Sequence, residues 1–531
     1  MTNWLTHISK RSILLIAIAF VSILIYSKSS PLYFTNNWVD PNAYMTVGRG
    51  ILHGLVPYRD LFEQKGPLLY FIHAIAALFG NNFFGVFLIE GVLMSANLLI
   101  FYQLAKLFLN EMAALFTTFF LPFLLVNYSW FQSGDSAEEF AVPAILYVIY
   151  LIFAKVGREI SLSARDFYVL GLLTAYLFWI KYTTTGALIG FFLFVGIYLL
   201  LKRSWRELGI AVATSFMGML TLTLPILLYF ALNDALESLF NVYFVFNMTS
   251  YSGDTSFLGR MTNIWGVLTY YGSLHPLAFG LGTLGVVVVL IIATTGVSRL
   301  FHVNRLQNKH LANSLFLVCF VTTVIGQFYG GRAYGYYLFV LVPFAAFGMI
   351  GIGLIVSRWT SFTSLKKYYK ISYSVSILLA ILLPLSVNIN IAYSRLNPNN
   401  TDRYDNVPGK PANATTESAQ DEFAKIIDKV PNSTLLNYQW LDWGFYLAAD
   451  KIPVTYYFEQ QNVDYNVYPQ NTDAQNQYVA EGLTTFVVCE QAPNVHSLLA
   501  EHYTMVASHT QTSEGGVNTY YLYELKTMEN S

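Results

Sequence analysis

Charged residues are scarce in this chain of 531 residues: Asp, Glu, Lys and Arg make up 11% of it, and hydrophobic residues 55%. Soluble domains carry about 25% charged residues. A globule of this size could not coat its surface with so few charges, which excludes an ordinary cytosolic enzyme. The net charge of −1 excludes the basic surface of a nucleic-acid-binding protein. Only two cysteines are present, Cys319 and Cys489, which argues against a disulfide framework.

Apolar runs long enough to cross a bilayer recur along the chain. A hydrocarbon core of about 30 Å requires about 20 apolar helical residues per crossing. We therefore predict a polytopic α-helical membrane protein with about 11 transmembrane helices. They are expected at residues 12–27, 84–105, 112–127, 140–154, 167–180, 184–201, 208–230, 277–297, 311–329, 334–356 and 371–392.

The basic residues predict the orientation of these spans, because cytoplasmic loops carry the excess of Lys and Arg. With a cytoplasmic N-terminus, 16 Lys and Arg residues fall in inner loops and 7 in outer loops. Residues 67–80 are apolar but too short for a crossing, and counting them as a span would invert every later loop. We interpret them as a juxtamembrane helix in the first outer loop, residues 28–82. The odd number of spans then places the C-terminal region outside.

The C-terminal region differs in composition from the rest. We divide the chain into a transmembrane domain (1–396), a polar Pro/Asn/Thr-rich linker (397–419) and a small extracytoplasmic α/β domain (420–531). Within the last domain, helices are predicted at 420–430 and 495–502, and strands at 434–438, 484–489 and 519–525. Its aromatic side chains are suited either to stacking on sugars or to forming its core. They include Tyr438, Trp440, Trp443, Tyr446, Tyr456 and Tyr457.

The first outer loop concentrates charge in a chain that is otherwise poor in it. It contains Asp40, Arg49, Asp60, Glu63 and Lys65. Charged groups at a membrane boundary are costly unless they pair or act on something. The two interpretations are a solvated loop whose charges face water and a site that carries chemistry.

The segment from Asp40 to Tyr70, DPNAYMTVGRGILHGLVPYRDLFEQKGPLLY, resembles the first outer loop of bacterial GT-C glycosyltransferases. The nearest pattern is that of the protein-O-mannosyltransferase-like and aminoarabinose-transferase-like group. The resemblance is close in this loop and looser over the multi-span layout of roughly residues 1–350. It implies a sugar donor carried on a polyprenyl phosphate and transfer on the outer face of the membrane.

The resemblance also implies roles for individual residues. Asp40 matches the catalytic acid that takes a proton from the acceptor hydroxyl, with inversion at the anomeric carbon. Lys65 matches the basic residue that holds the donor phosphate. The chain departs from aminoarabinose-transferase-like sequences, which place Glu before this Lys and two prolines after it, because Gln64 precedes Lys65 and Gly66 follows it. Glu63 is either the replacement for that carboxylate or a surface acid.

Further candidate residues lie in and beyond the first loop. Arg332 follows a predicted span at headgroup depth, where its planar fork suits a phosphate; the alternative is an aromatic belt with one snorkelling Arg. Asp135 and Glu138 lie in the second outer loop. The resemblance to oligosaccharyltransferases of this fold implies that they could hold a divalent metal together with Asp40; the alternatives are acceptor contacts and an exposed acidic turn. Phosphate-linked monosaccharide donors generally need no metal in this fold, so the resemblance implies no cofactor. Possible supporting residues are Tyr44, Arg49, Asp60, Glu63, Asp135, Glu138 and Tyr336.

We therefore predict a multi-pass glycosyltransferase of a bacterial plasma membrane. Its partners would be membrane lipids, a polyprenyl-phosphate sugar and an envelope acceptor, either a glycan, a teichoic-acid-like polymer, a lipid or a protein. One alternative is an envelope-lipid transporter or flippase, although transporters place ionisable groups near the bilayer midplane. A second is a polymer ligase that uses a diphosphate-linked donor.

Overall fold

A computed structural model of the chain describes residues 9–252, 256–274, 276–294, 307–332, 334–360, 369–397, 417–490, 497–513 and 516–526. Most of the predicted linker lies outside these residues. The chain divides into two compact units. Unit 1 comprises residues 1–27, 88–226 and 253–389, and unit 2 comprises residues 28–87, 227–252 and 390–531.

Helices make up most of the described chain. The first eleven are α1 (Lys10–Tyr26), α2 (Val39–Leu52), α3 (Pro67–Ala77), α4 (Phe84–Ala105), α5 (Glu111–Phe119), α6 (Leu121–Leu125), α7 (Tyr128–Phe131), α8 (Val142–Ala154), α9 (Ala164–Lys181), α10 (Gly186–Leu201) and α11 (Trp205–Leu232). They are followed by α12 (Leu236–Leu239), α13 (Phe257–Leu274), α14 (Pro276–Thr294), α15 (Lys309–Phe328), α16 (Val342–Thr360), α17 (Tyr369–Leu382), α18 (Ala419–Ile427), α19 (Phe445–Ala448), α20 (Pro469–Ala480) and α21 (Ser497–His502).

Local sequence accounts for several helix ends. Ser9 accepts a hydrogen bond from the backbone N–H of Ser12 at the start of α1. Ser163 and Asp166 form a reciprocal capping box at the start of α9. The predicted span 112–127 is divided into α5 and α6, and Pro122 lies in the first turn of the second helix, where its missing N–H costs nothing.

Six helical segments among the described residues are long and apolar enough to cross a membrane. They are Phe84–Ala105, Glu139–Arg158, Ala164–Leu201, Trp205–Leu232, Lys309–Phe328 and Gly335–Leu354. Helices also overlap the other predicted spans, but these are shorter or extend into residues that are not described. The total of about 11 spans stays a prediction.

Small residues allow close contact between helices in unit 1. A Cβ atom on Gly348 of α16 would lie 1.7 Å from the carbonyl oxygen of Leu281 in α14. A Cβ atom on Gly171 of α9 would lie 1.9 Å from the carbonyl oxygen of Ser215 in α11. Such small residues are typical of interfaces between transmembrane helices, where packing replaces the hydrophobic effect.

In unit 2, the segment predicted to be the first outer loop contains helices α2 and α3, which pack against each other. Gly48 lies at their contact, and a Cβ atom there would come within 2.6 Å of the His73 backbone. Pro67 begins α3 directly after Gly66, which suits the first position of a helix. Residue 40 lies in the first turn of α2, and residue 65 lies two residues before α3. The N-terminal ends of the two helices therefore bring these residues together.

The C-terminal part of unit 2 contains a four-stranded sheet of order β1-β2-β4-β3. Its strands are β1 (Leu435–Asn437), β2 (Phe486–Cys489), β3 (Tyr503–Ser513) and β4 (Gly516–Leu525). The pair β1–β2 is parallel, and β2–β4 and β3–β4 are antiparallel. Leu436, Val487 and Leu499 lie in the core beside this sheet. The sequence did not predict β3 or α20.

Residues 231–272 lie between two predicted spans and carry few charges and many aromatics. The described part of this stretch is helical, with α12, a π-helix over Phe240–Tyr251 and α13. A helix satisfies the backbone hydrogen bonds of such an apolar segment internally.

Candidate active site

Asp40 and Lys65 meet in unit 2 although 25 residues separate them in the chain. Asp40 lies in the first turn of α2, and Lys65 precedes the start of α3. The Nζ atom of Lys65 is 3.4 Å from Oδ2 of Asp40, and the two side chains are 10% and 20% exposed. The hydroxyl of Tyr44, one helical turn after Asp40, donates to the same Oδ2 at 3.1 Å. A carboxylate, an ammonium group and a phenol therefore converge at one partly open point.

The backbone of Lys65 is held by its neighbours. Its N–H donates to Oε2 of Glu63 at 2.9 Å and to the hydroxyl of Tyr70 at 2.8 Å. Its carbonyl accepts a hydrogen bond from the hydroxyl of Tyr58 at 2.6 Å. Burial raises the pKa of Glu63, although the nearby Lys65 charge opposes this. Glu63 therefore positions Lys65 through its backbone, and its carboxyl group is buried instead of lying on the surface.

Asp60 and Arg49 have partners of their own in unit 2. Asp60 pairs with Arg59 and accepts from the Val56 N–H at 2.7 Å, so it closes a turn; its hydrogen bonds with Arg59 lower the pKa of Asp60. Arg49 is buried, pairs with Asp450 and donates to the carbonyl of Tyr446 at 3.2 Å.

Buried acids in the C-terminal part of unit 2 also lie near α2, and the sequence analysis did not single them out. Thr46 donates to Oδ2 of Asp442 at 2.6 Å. Glu459 accepts the backbone N–H of Asp442 at 2.7 Å. Burial raises the pKa of both carboxyl groups. No sequence motif marks these residues, because their burial follows only from tertiary packing.

The remaining predicted site residues lie in unit 1. Oε1 of Glu138 is paired with Lys181 and accepts a hydrogen bond from Nε2 of Gln327 at 2.8 Å. The Nζ atom of Lys181 lies 5.8 Å from the centre of the Tyr336 ring. Glu138 and Tyr336 are thus brought together through Lys181, and Gln327 is a member that the sequence analysis missed.

Asp135 and Arg332 occupy other positions in unit 1. The backbone N–H of Asp135 donates to Oε2 of Glu139 at 2.9 Å. Arg332 donates to the hydroxyl of Tyr334 at 3.0 Å, and the ring of Tyr334 stacks on that of Tyr336. No group of three or more His, Cys, Asp or Glu side chains within the described ranges is arranged to hold a metal ion.

The chain was compared with known proteins by sequence and by structure. Residues 65–231 match the family described as dolichyl-phosphate-mannose-protein mannosyltransferase. No curated protein matches the whole sequence significantly.

The fold resembles that of ArnT from Cupriavidus metallidurans, solved both with undecaprenyl phosphate and in the apo state. Each comparison has a TM-score of 0.57 and 12% identity, and covers 96% of this chain and 97% of ArnT. The oligosaccharyltransferase AglB from Archaeoglobus fulgidus matches at a TM-score of 0.46 and 13% identity, over 98% of this chain and 75% of AglB.

The match to the mannosyltransferase family and the match to ArnT agree on the fold. The chain has the helical fold of the GT-C glycosyltransferases, and the resemblance predicted from its first outer loop is confirmed. Within that class it is similar to the mannosyltransferase family over residues 65–231 and to ArnT over nearly its whole length.

Proposed function

We propose that this protein is an inverting glycosyltransferase that moves a sugar from a polyprenyl-phosphate donor to a cell-envelope acceptor on the outer face of the membrane. The ArnT structure that it resembles holds undecaprenyl phosphate, which supports a donor of this chemical class. The family matched over residues 65–231 is likewise described by a lipid-phosphate-linked sugar. The predicted orientation supports the outer face, since the first loop lies on the side poor in Lys and Arg.

The pair of Asp40 and Lys65 carries the proposal. In a single displacement the base and the cation for the leaving phosphate flank the sugar, so the direct contact between Asp40 and Lys65 opens to admit the donor. Their 3.4 Å separation exceeds the 2.7–2.9 Å of a strong charge-assisted bond. Opening this long contact leaves the ammonium group within reach of a donor phosphate that enters beside Asp40.

The proposed step is a single displacement. The acceptor oxygen attacks the anomeric carbon while its proton passes to Asp40. The bond between that carbon and the phosphate oxygen breaks, and its electron pair leaves with the polyprenyl phosphate. Lys65 stabilises the charge that grows on this phosphate, and the positive charge of the oxocarbenium-like centre develops between the two groups.

Other residues are proposed in supporting roles. Tyr44 orients the Asp40 carboxylate, and Glu63 orients Lys65 through its backbone. Arg332 is proposed as a second ligand of the donor phosphate because its guanidinium can bind two oxygens at once. The proposed step uses no metal. The turnover rate with and without a chelator tests whether the reaction depends on one.

The test uses full-length protein in lipid nanodiscs with radiolabelled polyprenyl-phosphate hexoses and a cell-wall polymer extract. We expect wild type to transfer label and Asp40→Asn to bind donor normally while transferring it about 10²–10⁴ times more slowly. Asp60→Asn is the matched control. It makes the same change of acid to amide, but at a residue that closes a turn. Its rate should stay within a few-fold of wild type.

Three outcomes would contradict the proposal. Near-normal transfer by Asp40→Asn would remove the base from the mechanism. With the protein in sealed vesicles in place of nanodiscs, movement of label across the membrane without a new glycosidic bond would identify a transporter. With a polyprenyl-diphosphate-linked sugar supplied in parallel, transfer only from that donor would identify a polymer ligase.

A further inference from the structure

The segment that carries Lys65 is buried but has no regular secondary structure. Residues 62–66 are all buried, and they lie directly before α3 in unit 2. Backbone groups in a buried segment need hydrogen-bond partners, because water does not reach them. Outside a helix or sheet those partners come from side chains and from distant parts of the chain, and they determine where the segment lies.

One of these partners comes from the π-helix Phe240–Tyr251, which belongs to the same unit. The side-chain amide of Asn247 donates to the carbonyl of Gln64 at 2.8 Å. It also donates to the carbonyl of Tyr243 at 2.9 Å within its own helix. The amide is therefore anchored to the π-helix by one bond and to the segment of Lys65 by the other.

The peptide group between Gln64 and Lys65 is thereby held at both of its ends. Its oxygen accepts from Asn247, and its N–H donates to Glu63 and to the hydroxyl of Tyr70. Because a peptide group is planar, a rotation that released the oxygen would also turn the N–H away from its acceptors. Loss of the Asn247 bond therefore loosens the backbone from which the ammonium group of Lys65 extends.

A second contact of the π-helix supports the peptide group on the other side of Lys65. The hydroxyl of Tyr58 donates to the Lys65 carbonyl at 2.6 Å, and the ring of Tyr58 stacks on that of Tyr243 with the ring centres 6.5 Å apart. The backbone φ of Tyr58 is +68°, which is unfavourable for a bulky side chain and persists only where packing holds it. The π-helix thus supports both peptide groups that flank Lys65, one directly and one through Tyr58.

We propose that the π-helix positions Lys65 for the donor phosphate, and that Asn247 is the positioning residue, acting through the peptide group between Gln64 and Lys65. A cation stabilises a leaving phosphate only from a fixed position, and a displacement of about 1 Å can slow a reaction about 10²-fold. This inference rests on the proposed function for the role of Lys65. The hold of the π-helix on the segment is nevertheless measured without any transfer.

The first test compares Asn247→Ala with wild type, as full-length protein in nanodiscs with a polyprenyl-phosphate hexose. Single-turnover transfer should slow about 10- to 100-fold, whereas the affinity for undecaprenyl phosphate should change less than about threefold, because the ammonium group is displaced but not removed. Asn233→Ala is the matched control, since the Asn233 amide donates to the Tyr229 carbonyl at 2.8 Å, four residues earlier. It should change the rate less than about twofold.

Combining variants separates a positioning role from a merely structural one. In the Lys65→Ala background, Asn247→Ala should slow transfer less than about threefold further, because the group that it positions is already gone. Equal slowing in the two backgrounds would overturn the inference.

An isosteric variant tests the donated hydrogen bond. Asn247→Asp keeps the size of the side chain, but a carboxylate cannot donate to the Gln64 carbonyl, so this variant should be at least as slow as Asn247→Ala. Asn241→Asp adds the same charge at an exposed position of the π-helix and should leave the rate unchanged. Wild-type turnover by Asn247→Asp would overturn the inference.

Hydrogen–deuterium exchange measures the hold on the segment in the absence of donor. The Lys65 N–H should exchange about tenfold faster in Asn247→Ala than in wild type, and at the wild-type rate in Asn233→Ala. Unchanged exchange in Asn247→Ala would overturn the inference. If wild type transfers sugar from no donor but Asn247→Ala still accelerates exchange in residues 62–66, the proposed function fails and the hold of the π-helix on Lys65 stands. Normal transfer by Asn247→Ala beside an active wild type would reject the inference and leave the proposed function intact.

Discussion

At the scale of single residues, the site depends on how Lys65 is held. Its backbone is fixed by Glu63, Tyr70 and Tyr58, whereas its ammonium group makes a long contact to Asp40. A fixed backbone and a long contact to Asp40 suit a residue whose ammonium group turns to the donor phosphate when it arrives.

Lys65→Ala should therefore weaken donor binding about tenfold and slow turnover by about 10²–10³, since a preorganised cation stabilises the leaving phosphate. Donor affinity and single-turnover rate in nanodiscs measure the two effects separately. Lys429→Ala removes the same charge from an exposed position and serves as the control. Unchanged affinity and rate for Lys65→Ala would exclude a phosphate contact.

The buried acid Glu459 predicts a pH dependence of stability. Burial, aided by the charges of Asp442 and Glu63, raises the pKa of Glu459 well above its ordinary value. The folded protein then keeps the proton that the unfolded chain releases, so the contribution of Glu459 to stability is most favourable at low pH and is lost as pH rises towards the folded pKa.

Glu459→Gln should remove this loss of stability at rising pH. Between about pH 5 and the folded pKa, the free energy of unfolding of wild type should fall more steeply than that of the variant, by up to about 1.4 kcal/mol per pH unit. Thermal unfolding of the full-length protein across this range provides the measurement, with the exposed Glu481→Gln as reference. Parallel curves for wild type and Glu459→Gln would refute the assignment.

At the scale of elements, the contact between α2 and α3 sets the geometry of the pair. The two helices approach so closely at Gly48 that a Cβ atom would overlap the His73 backbone. Neither helix can move at this point without displacing Asp40 from Lys65.

Gly48→Ala should destabilise the protein by about 1–3 kcal/mol through overpacking, and should lower transfer in the fraction that remains folded. Melting temperature and specific activity report the two effects. Gly196→Ala makes the same change on α10, where nothing lies within 4 Å of the added Cβ atom, and should be neutral or slightly stabilising. A fully stable and active Gly48→Ala would show that the helices can separate without consequence.

At the scale of the whole molecule, the distribution of Lys and Arg predicts the orientation in the membrane. Lys202 follows α10 in a loop expected inside, and Lys429 lies after α18 in the region expected outside. Both are exposed, and the two native cysteines are buried, so added thiols can be labelled selectively.

In intact cells, a membrane-impermeant maleimide should label Lys429→Cys but not Lys202→Cys. Both should react after the membrane is permeabilised. The reverse pattern would invert the topology and place Asp40 on the cytoplasmic side, which would contradict the proposed reaction.

Much of this protein follows from local sequence. The apolar runs mark the helices, because a backbone shielded from water must form its hydrogen bonds within the chain. The capping residues mark several of the helix ends. The first loop stood out because charge is conspicuous where it is scarce, and the resemblance to GT-C glycosyltransferases singled out Asp40 and Lys65 within it. The Gly66–Pro67 step predicted the start of α3.

Only the tertiary structure decided which charges meet. Asp60 turned out to close a local turn with Arg59, whereas Glu63 positions the backbone of Lys65. Glu459, Asp442 and the hydrogen bond from Asn247 to Gln64 had no sequence signal at all. Periodicity and composition reflect the contact of each residue with solvent, but a pairing between residues hundreds of positions apart depends on packing that no local pattern encodes.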